Sequence, residues 1–554
     1  MDRHDRPART PVAIVGGGPV GLLLALFLDR HGVASVVFDT EDSVLDEPRG
    51  STHNARTMEH YRRLGLAARV RELGLPGSHD AGISFFTRYS GRLLARLPWP
   101  GADAVRAAVA AADRTDQVPE PMHRANQMYV ERLLWEHAAT RPGVTLRYGH
   151  RVTSVREAHG AVVLGTEGPR GPRTWVAGYA VGCDGGRSLV RRSLGASYAG
   201  EGSLEQDVLG RRATAARLRV PGLYGRFLRE HAAWSNWVFN GELAINLIAL
   251  DGDDEFFLLT SSADPDDPDD GAIVELVRRA VGVPVEVAVR GRRAWTPGAA
   301  LVAERFGRGR VWLAGDAAHL FTPNGGFGMN TGVDDAANLA WKLAAAVQGW
   351  AGPGLLPSYE AERRPVALRN TAAARGLNIA LGAIERPGAL EEDSAAGAAA
   401  RRATAQRLAR YGLLTMATLG VQLGARYDGS PVVIPSGDPP PDDFTSYTPS
   451  GVPGGRAPHL WLDDTHGAGG SLFDRFGTGF TLLSLRSRHH DTSGLEKAAR
   501  ERGIPFSVVH VDDPAGRELY GRDLVLVRPD QHIAWRGDRE PRNPAEILAR
   551  VTGH

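Results

Sequence analysis

Val12-Ala13-Ile14-Val15-Gly16-Gly17-Gly18-Pro19-Val20-Gly21 reads as an apolar strand running into a glycine turn, and the amphipathic stretch Leu22 to Arg30 behind it reads as the helix that the turn opens. Strand, Gly-x-Gly-x-x-Gly spacing and helix together are the context that a dinucleotide fingerprint requires. Gly16 permits the tight turn, Gly18 lets the backbone approach a pyrophosphate, and Gly21 lets the helix sit close to the strand, with Pro19 and Val20 completing the turn. Phosphates placed there face the free N–H groups and positive dipole end of the helix. A second apolar strand, Ser35-Val36-Val37-Phe38, is followed by Asp39, near the ~20-residue spacing of a carboxylate that accepts hydrogen bonds from an adenosine ribose.

Two further turns look like clamps on the same molecule: Cys183-Asp184-Gly185-Gly186-Arg187-Ser188 and Gly315-Asp316-Ala317-Ala318-His319. The second follows the strand-like run Arg310 to Ala314 and precedes Pro323 and the glycines 325, 326 and 328; a helix is predicted from about Asn330 to Gln348, with Asp334 and Asp335 in its first turn. His319 behind the Gly-Asp pair fits a capping or packing role better than a catalytic one.

The 554 residues exceed one ordinary core and predict three or four domains. With 65 Lys+Arg against 64 Asp+Glu, no general field draws the chain to nucleic acid or acidic membranes, which leaves a small molecule as the expected partner. Cys183 is the single cysteine, so internal disulfides, cysteine metal clusters and dithiol chemistry are excluded. The polar, Arg-rich start lacks a signal-peptide core, and no run reaches the roughly 18 apolar residues of a membrane span, which predicts a soluble, cytoplasmic protein. The acidic segment Asp264 to Asp270 reads as a solvated turn and not as a metal site.

Residues 1–80, 120–195 and 300–375 read as one discontinuous nucleotide-binding domain. Residues 81–119 and 196–299, with alternating runs such as Leu243 to Leu250, read as an antiparallel-sheet substrate domain. Residues 376–450 read as a helical segment, with an Ala-rich mobile middle from Glu391 to Ala405, and a Pro-rich linker; residues 451–554 read as a small α/β domain. Trp234, Trp237 and Phe239 are candidates for the substrate wall as well as for core, since alternate residues of this sheet face one side.

In this order the motifs resemble the group A flavoprotein aromatic hydroxylases, built like p-hydroxybenzoate and phenol hydroxylase, over nearly the whole chain. Arg49 with Asn54-Ala55-Arg56-Thr57-Met58-Glu59 is similar to the 2,4-dichlorophenol 6-monooxygenase branch. Arg124 and Gln127 match an Arg-x-x-Gln pair that holds FAD in the family, and Asp184-Gly185 and Gly315-Asp316 match its Asp-Gly and Gly-Asp motifs. Asn338 to Leu343 and Ser358 to Pro365 complete the signature. Pro453 to His459 and Arg528-Pro529-Asp530 are similar to the thioredoxin-like appendage of the phenol hydroxylase branch, here without a CxxC pair, so packing or assembly is its implied role. The narrower resemblance is to actinobacterial pathway enzymes that hydroxylate phenols or hydroxypyridines, such as that of piericidin assembly.

The resemblance implies an α/β fold with a Rossmann-type FAD-binding domain, an antiparallel substrate sheet and a thioredoxin-like C-terminal domain. It implies FAD reduced by NAD(P)H, O2 added as a C4a-hydroperoxyflavin, and hydroxylation of a phenolic or hydroxypyridine ring, ortho to its hydroxyl. Asp316 would accept from the ribityl chain, with Pro323 nearby, and Gly328, Met329 and Asn330 would present backbone N–H groups to the flavin ring. Arg49 and Arg56 would face pyrophosphate or a mobile flavin, and His53, beside Asn54 in the loop that nears the substrate in relatives, would help deprotonate a phenol. Phe327 departs from a common Gln. Baeyer–Villiger-type or decarboxylating oxygenation and a non-catalytic flavin binder stay open as alternatives, as does a homo-oligomer. A flavin halogenase is disfavoured because residues 1–341 contain no lysine.

Overall fold

Five parallel strands form the central layer, in the order Val311–Leu313, Gly171–Gly182, Ala8–Val15, Ser35–Phe38 and Val144–Arg147. The computed structural model describes residues 7–113, 117–202, 208–209, 213–263, 269–295, 299–462, 470–486 and 490–554. Val12, Ala13 and Ile14 are fully buried because helices cover the first strand, which is why its sequence is apolar without alternation. Helix α1 (Pro19–Arg30), helix α2 (Ala55–Arg63) and helix α3 (Gln127–Ala139) belong to this layer. Leu22, Leu23, Leu24 and Leu28 of α1 are fully enclosed, each contributing about 1.5–3 kcal/mol of burial.

A second, seven-stranded sheet runs Ala288–Trp295, Ala213–Arg219, Glu255–Thr260, Ala244–Ala249, Ser235–Phe239, Ile83–Phe86, Leu93–Leu97. All its pairs are antiparallel except one: Ile83–Phe86, arriving from a distant part of the chain, lies parallel to Ser235–Phe239. One face is covered by helix α4 (Asp270–Val281), whose Ile273, Leu276 and Val277 meet Val238, Ile245, Leu247, Phe256 and Leu258. Residues 264–268 of the acidic segment lie outside the described residues.

Helix α5 (Phe327–Gln348) starts three residues ahead of the expected Asn330, because Gly325 and Gly326 at φ 81° and 67° turn the chain into it early. Asp334 and Asp335 therefore stand beyond the first turn and serve ion pairs with Arg56 and Arg363 instead of the helix dipole. After helix α6 (Ser358–Gly382), the Ala-rich stretch expected to be mobile forms the start of helix α7 (Ala395–Met416), capped by Ser394 accepting from the Gly397 N–H at 3.0 Å. The Pro-rich segment is a packed strap as much as a linker: Val432 and Val433 are buried, and Ile434 N–H donates to Ala534 at 2.9 Å.

The C-terminal unit orders its strands Phe506–His510, Phe480–Ser484, Leu524–Val527, Ile533–Gly537, the first pair parallel and the others antiparallel, in a thioredoxin-like arrangement. It is locked to the rest through buried charges. Glu362 of α6 accepts from Lys342 of α5 at 2.6 Å and from both terminal nitrogens of Arg528 at 2.6 and 2.8 Å, while Asp530 accepts from Arg528, Asn338 and Trp341. Among the described residues, no helix is long and apolar enough to cross a membrane.

Candidate active site

Parallel register brings the three glycine turns together. Val15 pairs with Gly182 and Gly182 with Leu313, so Gly16, Cys183 and Gly315 leave neighbouring strand ends at the same edge of the sheet. Such a carboxyl edge is where open α/β sheets bind ligands. The turns also touch: a Cβ on Gly16, whose φ is 108°, would lie 2.2 Å from the Cys183 carbonyl oxygen, and one on Gly21 would lie 2.0 Å from that of Gly16. Val20 packs under Gly315 and Gly332, joining α1, the Gly-Asp turn and α5. At Gly18 a Cβ would meet nothing within 4 Å, so here glycine keeps clear a space that the protein does not fill.

Asp39 holds the fingerprint loop, accepting from Gly17 N–H at 2.6 Å and Glu41 N–H at 2.9 Å; each oxygen keeps a second lone pair. Asp184 caps the short helix Leu189–Ser193 through Ser188 Oγ (2.5 Å) and Leu189 N–H (2.6 Å), which lets Gly185, at φ 73°, present an open backbone. Asp316 is exposed to the cleft; surrounding protein pushes its carboxyl above the usual range, opposed by His319 and Arg49. Arg49 is exposed near it, its backbone tied to Asn126.

Arg124 is the side chain best placed to bind an anionic group. Its guanidinium stacks 3.7 Å from the Trp234 ring centroid and donates to Thr52 Oγ1, but its buried Nε has no partner and no carboxylate among the described residues pairs with it. Enclosure pushes its pKa down to about 9. Gln127 follows at the start of α3, its N–H donating to Gly50 at 2.7 Å and its side chain to Glu131. An enclosed cation, open glycine backbone and a helix start at Gly328 and Met329 fit a molecule bearing pyrophosphate and an electron-accepting ring.

Several expected site residues are placed elsewhere. His53 is fully buried, with Nδ1 3.1 Å from the Tyr61 hydroxyl and Nε2 3.1 Å from the Ala125 carbonyl, and burial holds its pKa at about 3. With both nitrogens engaged, it is not positioned as a base for a phenol. Arg56 is buried and turned to the C-terminal domain, binding Gln531 at 2.8 Å and the Asp530 carbonyl at 2.7 Å as well as Glu59 of its own helix at 2.8 Å. Asn54 caps α2, accepting from Thr57 N–H at 2.8 Å, and its own N–H donates to Asn330 Oδ1 at 3.0 Å. The Asn330 side chain is likewise spent on Thr52 and Gly326 carbonyls, leaving its backbone as the part at the helix start. Trp234 covers Arg124 instead of a substrate, and Phe239 is core, enclosed with Leu381, Ile384 and Leu408 of the helical segment. Phe327 packs away from the cleft against Ala374 and Val421. Trp237 lies on the sheet face turned away from α4, stacked on Phe85 in the same apolar cluster as Phe239.

Other supports come from residues whose type carries no motif. Asp335, fully buried, accepts from Gly315 N–H (3.1 Å), His319 Nε2 (2.6 Å) and Arg363 Nε (2.8 Å), tying the Gly-Asp turn to α5 and α6. The Tyr148 hydroxyl donates to the Gly17 carbonyl at 2.6 Å, and Tyr198 donates to that of Asp316 beneath Arg191. For Asp335 the signal was its place on the buried stripe of α5; the two tyrosines gave none.

Comparison with known proteins agrees with this geometry. Residues 9–374 match a family described as FAD binding domain, and residues 450–554 one described as aromatic-ring hydroxylase, C-terminal. Aklavinone 12-hydroxylase RdmE of Streptomyces purpurascens is 33% identical over 563 residues, covering 98% of this chain and 97% of that protein. The structure of the rebeccamycin biosynthetic enzyme RebC with reduced flavin superposes with a TM-score of 0.87 at 35% identity, covering 99% of this chain and all of that one. That of the flavin-dependent monooxygenase PieE with FAD and substrate superposes with a TM-score of 0.85 at 30% identity, with coverage of 99% and 100%.

Proposed function

We propose that this chain, which belongs to the FAD-dependent aromatic-ring hydroxylases and is a monooxygenase of aromatic or polyketide-type substrates, hydroxylates an electron-rich phenolic ring next to its hydroxyl, with NAD(P)H as reductant. The observation that supports this most is the register that sets Gly16, Cys183 and Gly315 together at one edge of the parallel sheet. FAD supplies the activated oxygen, chemistry that no side chain provides. The residues bind, orient and exclude water. Gly18 would admit the pyrophosphate to the start of α1, Arg124 and Gln127 would hold the cofactor, and Asp316 would accept from its ribityl hydroxyls. Backbone N–H groups at Gly328 and Met329 would be available to the flavin ring, where they would stabilise negative charge on its reduced form. The apolar wall of Trp237, Ile248, Phe257 and Leu259 keeps the ring beside it dry.

The test is to load purified protein with FAD and follow NADH and NADPH oxidation with a panel of phenols, hydroxypyridines, naphthols and hydroxyanthraquinones. Expected is substrate-stimulated oxidation with a product heavier by one oxygen on the ring. Oxidation unaffected by every member, or a ring-expanded or decarboxylated product, overturns the reading.

A further inference from the structure

On the face of the second sheet turned away from α4, register sets one row across five strands, Phe85, Trp237, Asn246, Leu259 and Ala215, whose Phe85 end is packed against α6 and α7. Side chains alternate along a strand, so these point away from α4, whose partners are the intervening Val238, Ile245, Leu247 and Leu258. The same face meets Met128 in the first turn of α3, four residues after Arg124, and Trp234 stacked on Arg124. It therefore looks onto the loops assigned above to the cofactor.

Asn246 is the polar member of that row. It is 5% exposed, and Ser235 Oγ, itself buried, donates to its Oδ1 at 3.0 Å. Its Nδ2, carrying two N–H donors, has no protein partner among the described residues and stays open to solvent. Asn236, one strand away on the covered face, shows the contrast: its amide oxygen accepts from Ala233 N–H, and its nitrogen donates to the Ala233 and Leu247 carbonyls. An amide whose oxygen is fixed by a neighbour and whose donor half reaches solvent among apolar side chains is free to donate to a ligand at no cost in broken protein bonds.

We propose that Asn246 positions the substrate by donating Nδ2–H to its phenolic oxygen, with Ser235 fixing the amide so that the donor faces the cleft. This rests on the hydroxylase reading and names the group by which that site recognises its substrate. A neutral donor suits a phenol or phenolate. A carboxylate would call for a cation, and the first in the row is Arg293, beyond Ala215 and engaged with the 47–48 loop. An amide also has no proton to lose near neutral pH, so it stabilises phenolate without quenching it.

The experiment uses FAD-loaded wild type, Asn246→Leu and Asn246→Asp. Binding of 1-naphthol, 1-hydroxyanthraquinone and their parent hydrocarbon and quinone is read from perturbation of the flavin spectrum. Expected is a loss of roughly tenfold or more in affinity for the hydroxylated probes in Asn246→Leu, with parent affinity and FAD content unchanged. In Asn246→Asp, hydroxylated probes should bind weakly at high pH and recover as pH falls and the carboxyl regains a proton to donate. Equal loss for parent and hydroxylated probes, or no loss, overturns the assignment. If neither hydroxylated probe binds wild type, the hydroxylase reading of the site falls, and this one with it.

Discussion

Replacing Arg124 by Met should have opposite effects on the FAD-free and FAD-loaded protein. Enclosure lowers the guanidinium from its usual 12.5 to about 9 with no counter-charge, which corresponds to about 5 kcal/mol of unfavourable burial. Stacking on Trp234 returns about 2 kcal/mol, and the bond to Thr52 about 1–2 kcal/mol. The empty site is thus left with a deficit of about 1–2 kcal/mol. Methionine keeps the length and apolar contact with the tryptophan while removing the charge. Urea unfolding of the FAD-free variant should show unchanged or higher stability, by about 1 kcal/mol. FAD binding, followed by quenching of flavin fluorescence, loses a charge-assisted contact of about 1.5–3 kcal/mol and should weaken roughly 10- to 150-fold. A variant that is markedly less stable without FAD yet binds it as tightly as wild type would refute the reasoning, because the arginine would then be a structural brace.

Gly18→Val should fold normally, since nothing lies within 4 Å of the added carbon, yet fail to retain FAD; Gly16→Ala, driven into the Cys183 carbonyl at positive φ, should lower the yield of folded protein itself. Absorbance at the flavin band and circular dichroism separate the two outcomes. His53, His60, His123 and His532 are held neutral by burial, at about 3, 4, 4 and 3. Their folded values lie below the unfolded one near 6.5, so stability is whole above pH 6.5 and falls as pH drops towards 4, by up to about 5 kcal/mol per pH unit once the unfolded chain is fully protonated at all four; urea midpoints between pH 7.5 and 5 measure it, and a flat profile contradicts it. Glu362→Gln leaves Lys342 and Arg528 buried with Asp530 as their remaining carboxylate and should destabilise by about 3–5 kcal/mol, seen as a lower unfolding midpoint.

The parts of the site made of backbone were legible, and those made of side chains were not. Gly16 and Gly21 announce themselves because chain geometry admits no other residue there, and Gly18 because it completes their spacing beside a space the protein leaves open. The strand before them is apolar because it is covered. His53, Asn54 and Arg56 were placed near the chemistry by their loop, but the loop turns each inward: one to Tyr61, one to the cap of α2, one to Asp530. Nothing local in a sequence tells a capping asparagine from a binding one when both stand at a helix start. Asn246 went unread for the opposite reason, since its meaning comes from neighbours on other strands. The early start of α5 was signalled by Gly325 and Gly326, which permit the turn but do not say where the helix begins.

Helix α5 connects the two halves of this account. Its first turn faces the cleft, Asp335 two turns on anchors the Gly-Asp turn, and Asn338, Trp341 and Lys342, at i, i+3 and i+4, form one face that meets Glu362 and Asp530. A rigid helix held at its middle by buried charge transmits any displacement of the C-terminal domain to its first turn. Arg56 strengthens the link, because it joins Asp530 and Gln531 to α2, whose cap Asn54 bonds Asn330 at the start of α5. The thioredoxin-like domain therefore braces this region without a cysteine. Its buried ion pairs and hydrogen bonds tie α5 and, through Arg56, α2 to one unit, which anchors the helix start proposed to face the flavin.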